Sequence, residues 1–428
     1  MSHGRGPGES GGVQIVAMRF VTGRVVAAVS CALLLSYLIL VVARVDQQPL
    51  PEFDAFYAIA RAIAAGGLPA SHHLYALNFQ IRAESFLDRG LGRAFVEPFV
   101  ALPPAAWVVI PFTVFPIWPA FYIWDALGLG LCLAGTVWLA RQEGLGRDVA
   151  PLALAIVASY PTFTALGEGQ YDLLWPLCLA LFTAAWWCRS PWGRWTRVAA
   201  ASFLFTFKPD LLILAVVPAL AAWRRWTVRA ASACLLALAA ISAAVVGIPG
   251  LLRVPGIESY TLFHRFPPTH DETVLAILWR LTGHGAVSQE LAWGAAALAL
   301  SGLACAWWRN PPRTEQDWKL ALTSTVCLSL LVAPHSLDHD LLLLAGPAVW
   351  TAGALRRSGR DLRWLAFWMI LVNAAVILDD SSRFAVPVPL VPFVLLGAGV
   401  VAWRARRVLA VAPEEVVPGS EAVIPARS

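Results

Sequence analysis

Charge is what this chain has least of: Asp, Glu, Lys and Arg make up 14% of its 428 residues, and lysine occurs only at positions 208 and 319. Hydrophobic residues reach 58%, with 20 tryptophans, where an ordinary soluble domain is about 45–50% apolar. That balance excludes a soluble globular domain and leaves an all-α, polytopic integral membrane protein. Paired cysteine spacing is missing as well. The seven cysteines (31, 132, 178, 188, 234, 305 and 327) all fall inside or at the ends of apolar runs, which argues against a disulfide framework or thiolate metal site and for small core residues. No internal repeat and no soluble second domain is evident. The first apolar run lacks a small-residue cleavage site, so it reads as a retained signal anchor.

The net charge of +5 does not point to nucleic acid. Its arginines gather in short clusters between apolar segments of about 18–22 residues, which is how membrane orientation is written. With the arginine clusters placed in the cytoplasm, the chain predicts roughly 10–12 transmembrane helices. Residues 1–24 read as a disordered cytoplasmic N-terminus, 25–407 as a single membrane domain and 408–428 as a disordered cytoplasmic tail. Residues 44–118 form a first outer loop, whose piece Leu102–Pro116 carries four prolines and is expected to dip into the membrane without crossing. Between Arg197 and Arg224 an apolar stretch has arginine at both ends and Lys208-Pro209-Asp210 near its middle. Two half-length helices meeting at the Lys-Pro break satisfy the orientation rule, and irregular backbone at depth belongs where it lines a cavity.

The stretch from Asp46 to Gly67 organises the outer loop. Phe53, Phe56, Tyr57, Ala60, Ile63 and Ala64 fall on one stripe and Gly66-Gly67 supply a stop, so a short amphipathic helix on the bilayer surface is expected. Asp54 opens it, either as a helix N-cap or as a functional carboxylate.

Four polar features share the outer face in this topology: Asp54, the loop GEGQYD with Glu168, Gln170 and Asp172, the Lys208 hairpin tip, and PHSLDHD, residues 334–340. A lysine near the bilayer interior costs about 2.5–3.5 kcal/mol. Lys208 therefore needs either a structural partner, Asp210 or Asp172, or an anionic ligand. In PHSLDHD, His335 and His339 read better as hydrogen-bonding groups for phosphate or sugar than as metal ligands, because the proline and the loop position argue against one regular helix face. His72, His73, His264 and His270 lie in loops, where solvation is the default.

This set suits group transfer from a lipid phosphate. One carboxylate takes the proton from an attacking hydroxyl, cations hold a leaving phosphate that already departs well, and direct attack inverts the anomeric carbon.

The order of outer-loop Asp54, the Pro103-Pro104 dip, Gly169-Gln170, Lys208-Pro209 between arginine clusters, and the late Pro334-His335 resembles glycosyltransferase family 87, the polyprenyl-phosphate-mannose-dependent mannosyltransferases of GT-C type. The resemblance runs from about Arg24 to Arg407. It implies that Asp54 is the catalytic base, that Gln170, Lys208 and His335 bind the donor, and that no metal or other cofactor is required. Glu168, Asp172, Asp210 and His339 would support them. Asp172 departs from the pattern, since family members commonly carry Asn two residues after the Gln. The implied substrates are a polyprenyl-phosphate sugar and a lipid or glycan acceptor, with the site facing outward from a bacterial inner membrane. A transporter or flippase of lipid-linked glycans is the alternative, and it should show inverted repeats and broken helices in both halves. A ligase or polymerase using lipid-diphosphate sugars should show more outer-loop arginines.

Overall fold

The computed structural model describes residues 9–44, 51–91, 98–188, 190–204, 225–254, 256–257, 273–282, 286–312, 314–333, 336–360, 362–381 and 389–409. Lys208, Asp210 and His335, together with the expected Lys-Pro hairpin, lie outside these residues. Among the described residues every regular element is helical.

Helix α1 (Glu9–Arg44) is already running ahead of Val25. Helices α2 (Pro51–Ser71) and α3 (Leu77–Leu91) follow. The proline-rich piece folds as α4 (Pro103–Val109) with a 3-10 turn at Ile110–Val114. Next come α5 (Ile117–Gln142), α6 (Val149–Val157), α7 (Tyr160–Glu168), α8 (Trp175–Trp187) and α9 (Pro191–Leu204). After the hairpin region are α10 (Arg225–Leu251), α11 (Val274–Thr282) and α12 (Ala286–Arg309). The chain ends with α13 (Glu315–Val332), α14 (Ala345–Arg357), α15 (Arg363–Ser381) and α16 (Val391–Leu409).

Four described helices are long and apolar enough to cross a membrane: Val25–Ala43, Ile117–Gln142, Ser232–Leu251 and Val287–Arg309. Gly146–Val157 and Tyr160–Glu168, bent by 52°, make a fifth if taken as one broken span. This count is by length and composition and is made among the described residues. Helices α8 and α14, at 13 residues each, fall short of that length. The apolar run from Leu152 to Ala165 falls within the bent pair. Its break has a physical cause: Pro161 withholds a backbone donor, and the Tyr160 N–H is taken up by Asn373 Oδ1 of α15 at 2.7 Å.

Two kinds of contact hold the bundle. Small residues let backbones meet, as lipid-embedded helices require in the absence of a hydrophobic drive between them. A Cβ at Gly135 of α5 would lie 2.2 Å from the Leu177 backbone nitrogen of α8. At the arginine-rich end, ions do the joining. Glu143, just past α5, is fully buried and pairs with Lys319 of α13 and, at 2.8 Å, with Arg357 of α14. Glu315 shares Lys319, Arg406 of α16 pairs with Asp317, and Arg356 pairs with Asp148 at 2.9 Å. Removing one partner from such a buried group leaves an uncompensated charge at about 3–5 kcal/mol. Three of the loops read as cytoplasmic, those holding Glu143–Asp148, Glu315–Lys319 and Arg356–Arg357, thus meet at one end of the bundle. Trp186 and Trp318 stack just above this network with ring centroids 4.7 Å apart.

Gly135→Ala should destabilise the protein by about 1–3 kcal/mol or more, since backbone blocks the new methyl. Gly130→Ala, on the same helix with nothing within 4 Å of its added Cβ, should be neutral or stabilising. Thermal unfolding of the two variants in detergent checks this. Equal melting temperatures would refute the close α5–α8 approach.

Candidate active site

The end of the bundle away from the arginines is built around one glycine. Helix α7 stops at Glu168 because Gly169 takes the left-handed conformation, φ +68°, which costs a side chain about 1–2 kcal/mol. The Gln170 N–H then bonds back to Ala165 O at 2.8 Å. The Gly169 carbonyl accepts from Trp124 Nε1 of α5 at 2.9 Å, so the turn is fastened to a membrane-crossing helix. A 3-10 turn, Tyr171–Leu174, leads into α8 with Pro176 near its start.

Helix α2 packs on this turn through the two rings that bracket Asp54. Phe53 lies over Gly169, whose added Cβ would stand 2.7 Å from that of Phe53, and it meets Phe121 edge-on at 5.6 Å. Phe56 meets Tyr171 edge-on at 5.6 Å. On the far side Tyr57 donates to Phe115 O at 2.7 Å. The surface-lying helix expected here is instead packed on most sides from Phe53 to Ala60. Ala64, assigned to the buried stripe, is exposed. The Gly66-Gly67 stop is a kink at Gly67, φ 63°, within Pro51–Ser71. Asp54 is not the N-cap either. It occupies the first turn with Glu52, where the helix dipole favours its ionised form, and it is half-buried.

The third wall is a 3-10 turn, Asp338–Leu344. His339 is buried between two carboxylates of the Glu168–Asp172 loop: Nδ1 is 3.2 Å from Glu168 Oε2 and Nε2 is 3.6 Å from Asp172 Oδ2. Gln170 Nε2 also donates to Glu168 Oε2, at 3.1 Å. Trp175 Nε1 donates to Asp172 Oδ1, and the Leu337 N–H to Asp340 Oδ2 at 2.9 Å. Burial by itself would lower the His339 pKa, but the negative charges of Asp172, Glu168 and Asp340 outweigh it and hold the imidazole protonated up to about 10.

The structure therefore brings together Glu168, Gln170, Asp172 and His339 from two segments remote in sequence, and packs Phe53 and Phe56, on either side of Asp54, against the loop that holds the first three. Gln170 and Asp172 are buried within the protein, 1% and 0% exposed, while Asp54 and Glu168 are half-buried. Sequence reasoning did not single out Asp340, whose donor atom lies within 4.8 Å of those of Asp172 and His339 in a grouping able to hold a metal ion. It also missed Trp124 and Trp175, which position the loop; an indole N–H within an apolar run was the available signal.

The site is a buried polar cluster at one end of a helical membrane bundle, with the helix that carries Asp54 packed against its loop. The family model for glycosyltransferase family 87 matches residues 99–334, over half of the chain, and the chain belongs to that family. The match covers the Gly169-Gln170 and Lys208-Pro209 motifs; Asp54, on α2, lies outside it. No curated protein and no solved structure matches the chain. The protein is a multi-pass membrane glycosyltransferase.

Gly169→Ala tests the turn. The methyl meets Phe53 and Phe121 in a conformation L-residues disfavour, so α2 and with it Asp54 must shift. Glycosyl transfer should fall at least tenfold, as expected for about 1.4 kcal/mol of lost positioning. Wild-type turnover in this variant would show that the Phe53 contact does not position Asp54.

Proposed function

We propose that the chain transfers a hexose, mannose in the first instance, from a polyprenyl-phosphate donor to a lipid or glycan acceptor, with inversion, on the outer face of a bacterial inner membrane. The supporting observation is the meeting of α2 with the Glu168–Asp172 loop and the Asp338–Leu344 turn at the end opposite the arginine network. Trp124, which holds the Gly169 carbonyl, and Glu143 are separated along α5 by about 28 Å at 1.5 Å per residue, close to the ~30 Å hydrocarbon thickness. A site at that level meets the phosphate of a lipid carrier whose tail lies in the bilayer.

In this reading Asp54 is the general base. The acceptor oxygen attacks the anomeric carbon as its proton passes to the Asp54 carboxylate. The bond from that carbon to the phosphate oxygen breaks, and polyprenyl phosphate leaves with the electron pair. Asp54 is half-buried, whereas Asp172 and Asp340 are fully buried. Gln170 and Glu168 would orient sugar hydroxyls. Lys208 and His335, both outside the described residues, would hold the phosphate, with Asp210 supporting the lysine.

Asp54→Asn preserves shape and first-turn position but cannot accept the proton. Transfer from a radiolabelled polyprenyl-phosphate sugar to membrane lipid extract should fall about 10²–10⁴-fold, with donor binding near wild type. Substantial turnover would return Asp54 to a structural role. In the same assay Lys208→Ala should weaken donor binding, and unchanged affinity in the folded variant would assign the lysine to a structural pair.

Orientation is tested separately. Reporter fusions after His73 and Gly359, both at exposed positions, should report opposite sides, with Gly359 cytoplasmic. The same side for both would overturn the topology.

A further inference from the structure

We propose that Asp172, His339 and Asp340 form a binding site for a divalent transition-metal cation of the Mn²⁺ or Zn²⁺ class. One donor atom from each lies within 4.8 Å of the other two. The three residues come from two chain segments that only the fold brings together, and all are buried.

The groups around them are arranged as supports for ligands. Asp172 Oδ1 accepts from Trp175 Nε1, and Asp340 Oδ2 accepts from the Leu337 N–H at 2.9 Å. His339 Nδ1 faces Glu168 Oε2 at 3.2 Å. A carboxylate on one imidazole nitrogen orients the ring and raises the basicity of the other, as is usual for a metal-bound histidine. His339 Nε2 stands 3.6 Å from Asp172 Oδ2. That is too long for a hydrogen bond, and near the roughly 3.0–3.4 Å that separates two donors each about 2.1 Å from a shared ion.

A second observation points the same way. Gln170, 1% exposed, is held at the cluster by its Nε2 bond to Glu168, and its Oε1 has no hydrogen-bond partner. The Ser336 hydroxyl, on the residue before Leu337 and also 1% exposed, is likewise without one. An orphaned buried acceptor is costly, and a bound cation with its waters satisfies it.

Two carboxylates and one imidazole are too oxygen-rich for a thiolate-type zinc site. The nitrogen donor makes Mn²⁺ or Zn²⁺ a better fit than Ca²⁺ or Mg²⁺. The imidazole coordinates as the neutral base, so binding releases its proton to solvent. Three protein ligands leave positions for water or for an anionic oxygen; that oxygen belonging to a donor phosphate rests on the glycosyl-transfer reading above. The test is therefore on binding alone.

Tag-free, full-length protein in detergent, stripped with chelator and dialysed against Mn²⁺ or Zn²⁺, should retain one equivalent by elemental analysis and gain melting temperature with added metal. Asp172→Asn and Asp340→Asn should each lose that equivalent, at least a tenfold drop in affinity. Asp338→Asn, a buried carboxylate in the same turn outside the triad, should keep it. Wild-type protein with neither bound metal nor a metal-dependent rise in melting temperature overturns the site, and this comparison needs no variant to fold. Equal retention by Asp172→Asn overturns it as well. A protein that binds metal as stated yet transfers no sugar keeps the site and rejects the reaction.

Discussion

A carboxylate withdrawn from water must find a cation or donated hydrogen bonds, and the two ends of this bundle meet that requirement differently. At the arginine-rich end Glu143 is matched by Lys319 and Arg357, and the match ties three helices. At the other end Glu168, Asp172 and Asp340 surround a single imidazole, with indole and backbone N–H groups assisting. The first arrangement neutralises itself and is structural. The second keeps negative charge in excess among the described residues, which suits a place where cationic groups, protons or ions come and go.

Helix α5 carries both arrangements. Near its start Trp124 holds the Gly169 carbonyl, and just beyond its end lies Glu143. Between them Gly128 rests against Leu173 and Gly135 against the α8 backbone. These tight points fix the rotation of α8 and the turn that precedes it relative to α5. The depth of Asp172 in the fold therefore follows from two glycines as much as from its own bonds. Helix α2 is added to this frame from the side, through Phe53 and Phe56, and Asp54 takes its position from their rings.

The sequence made the chemistry of individual positions legible and their depth much less so. Glu168, Gln170, Asp172 and His339 were identifiable because polar residues beside long apolar runs are expensive and need a reason. Charge placement likewise marked the loops that converge on the arginine-rich end. Asp54 looked like a cap because helix propensity does not say that Pro51 already begins the helix. The break at Ser159 was not legible because it depends on Asn373, more than two hundred residues away. Asp340 was hidden for a similar reason: its partners come from a loop that only tertiary structure brings close.

The pairing of Glu143 also sets an order of events during biosynthesis. Its lysine partner is 176 residues further along the chain, so at a ribosomal pace of about 5–20 residues per second roughly 9–35 s pass before Lys319 exists. Glu143 must stay hydrated for that time, which keeps the loop after α5 at a water-facing surface while later segments enter the translocon. Closure of the arginine-rich end is thus a late step of assembly, and nascent chains stalled before residue 319 would present an open, water-filled bundle to quality-control proteases.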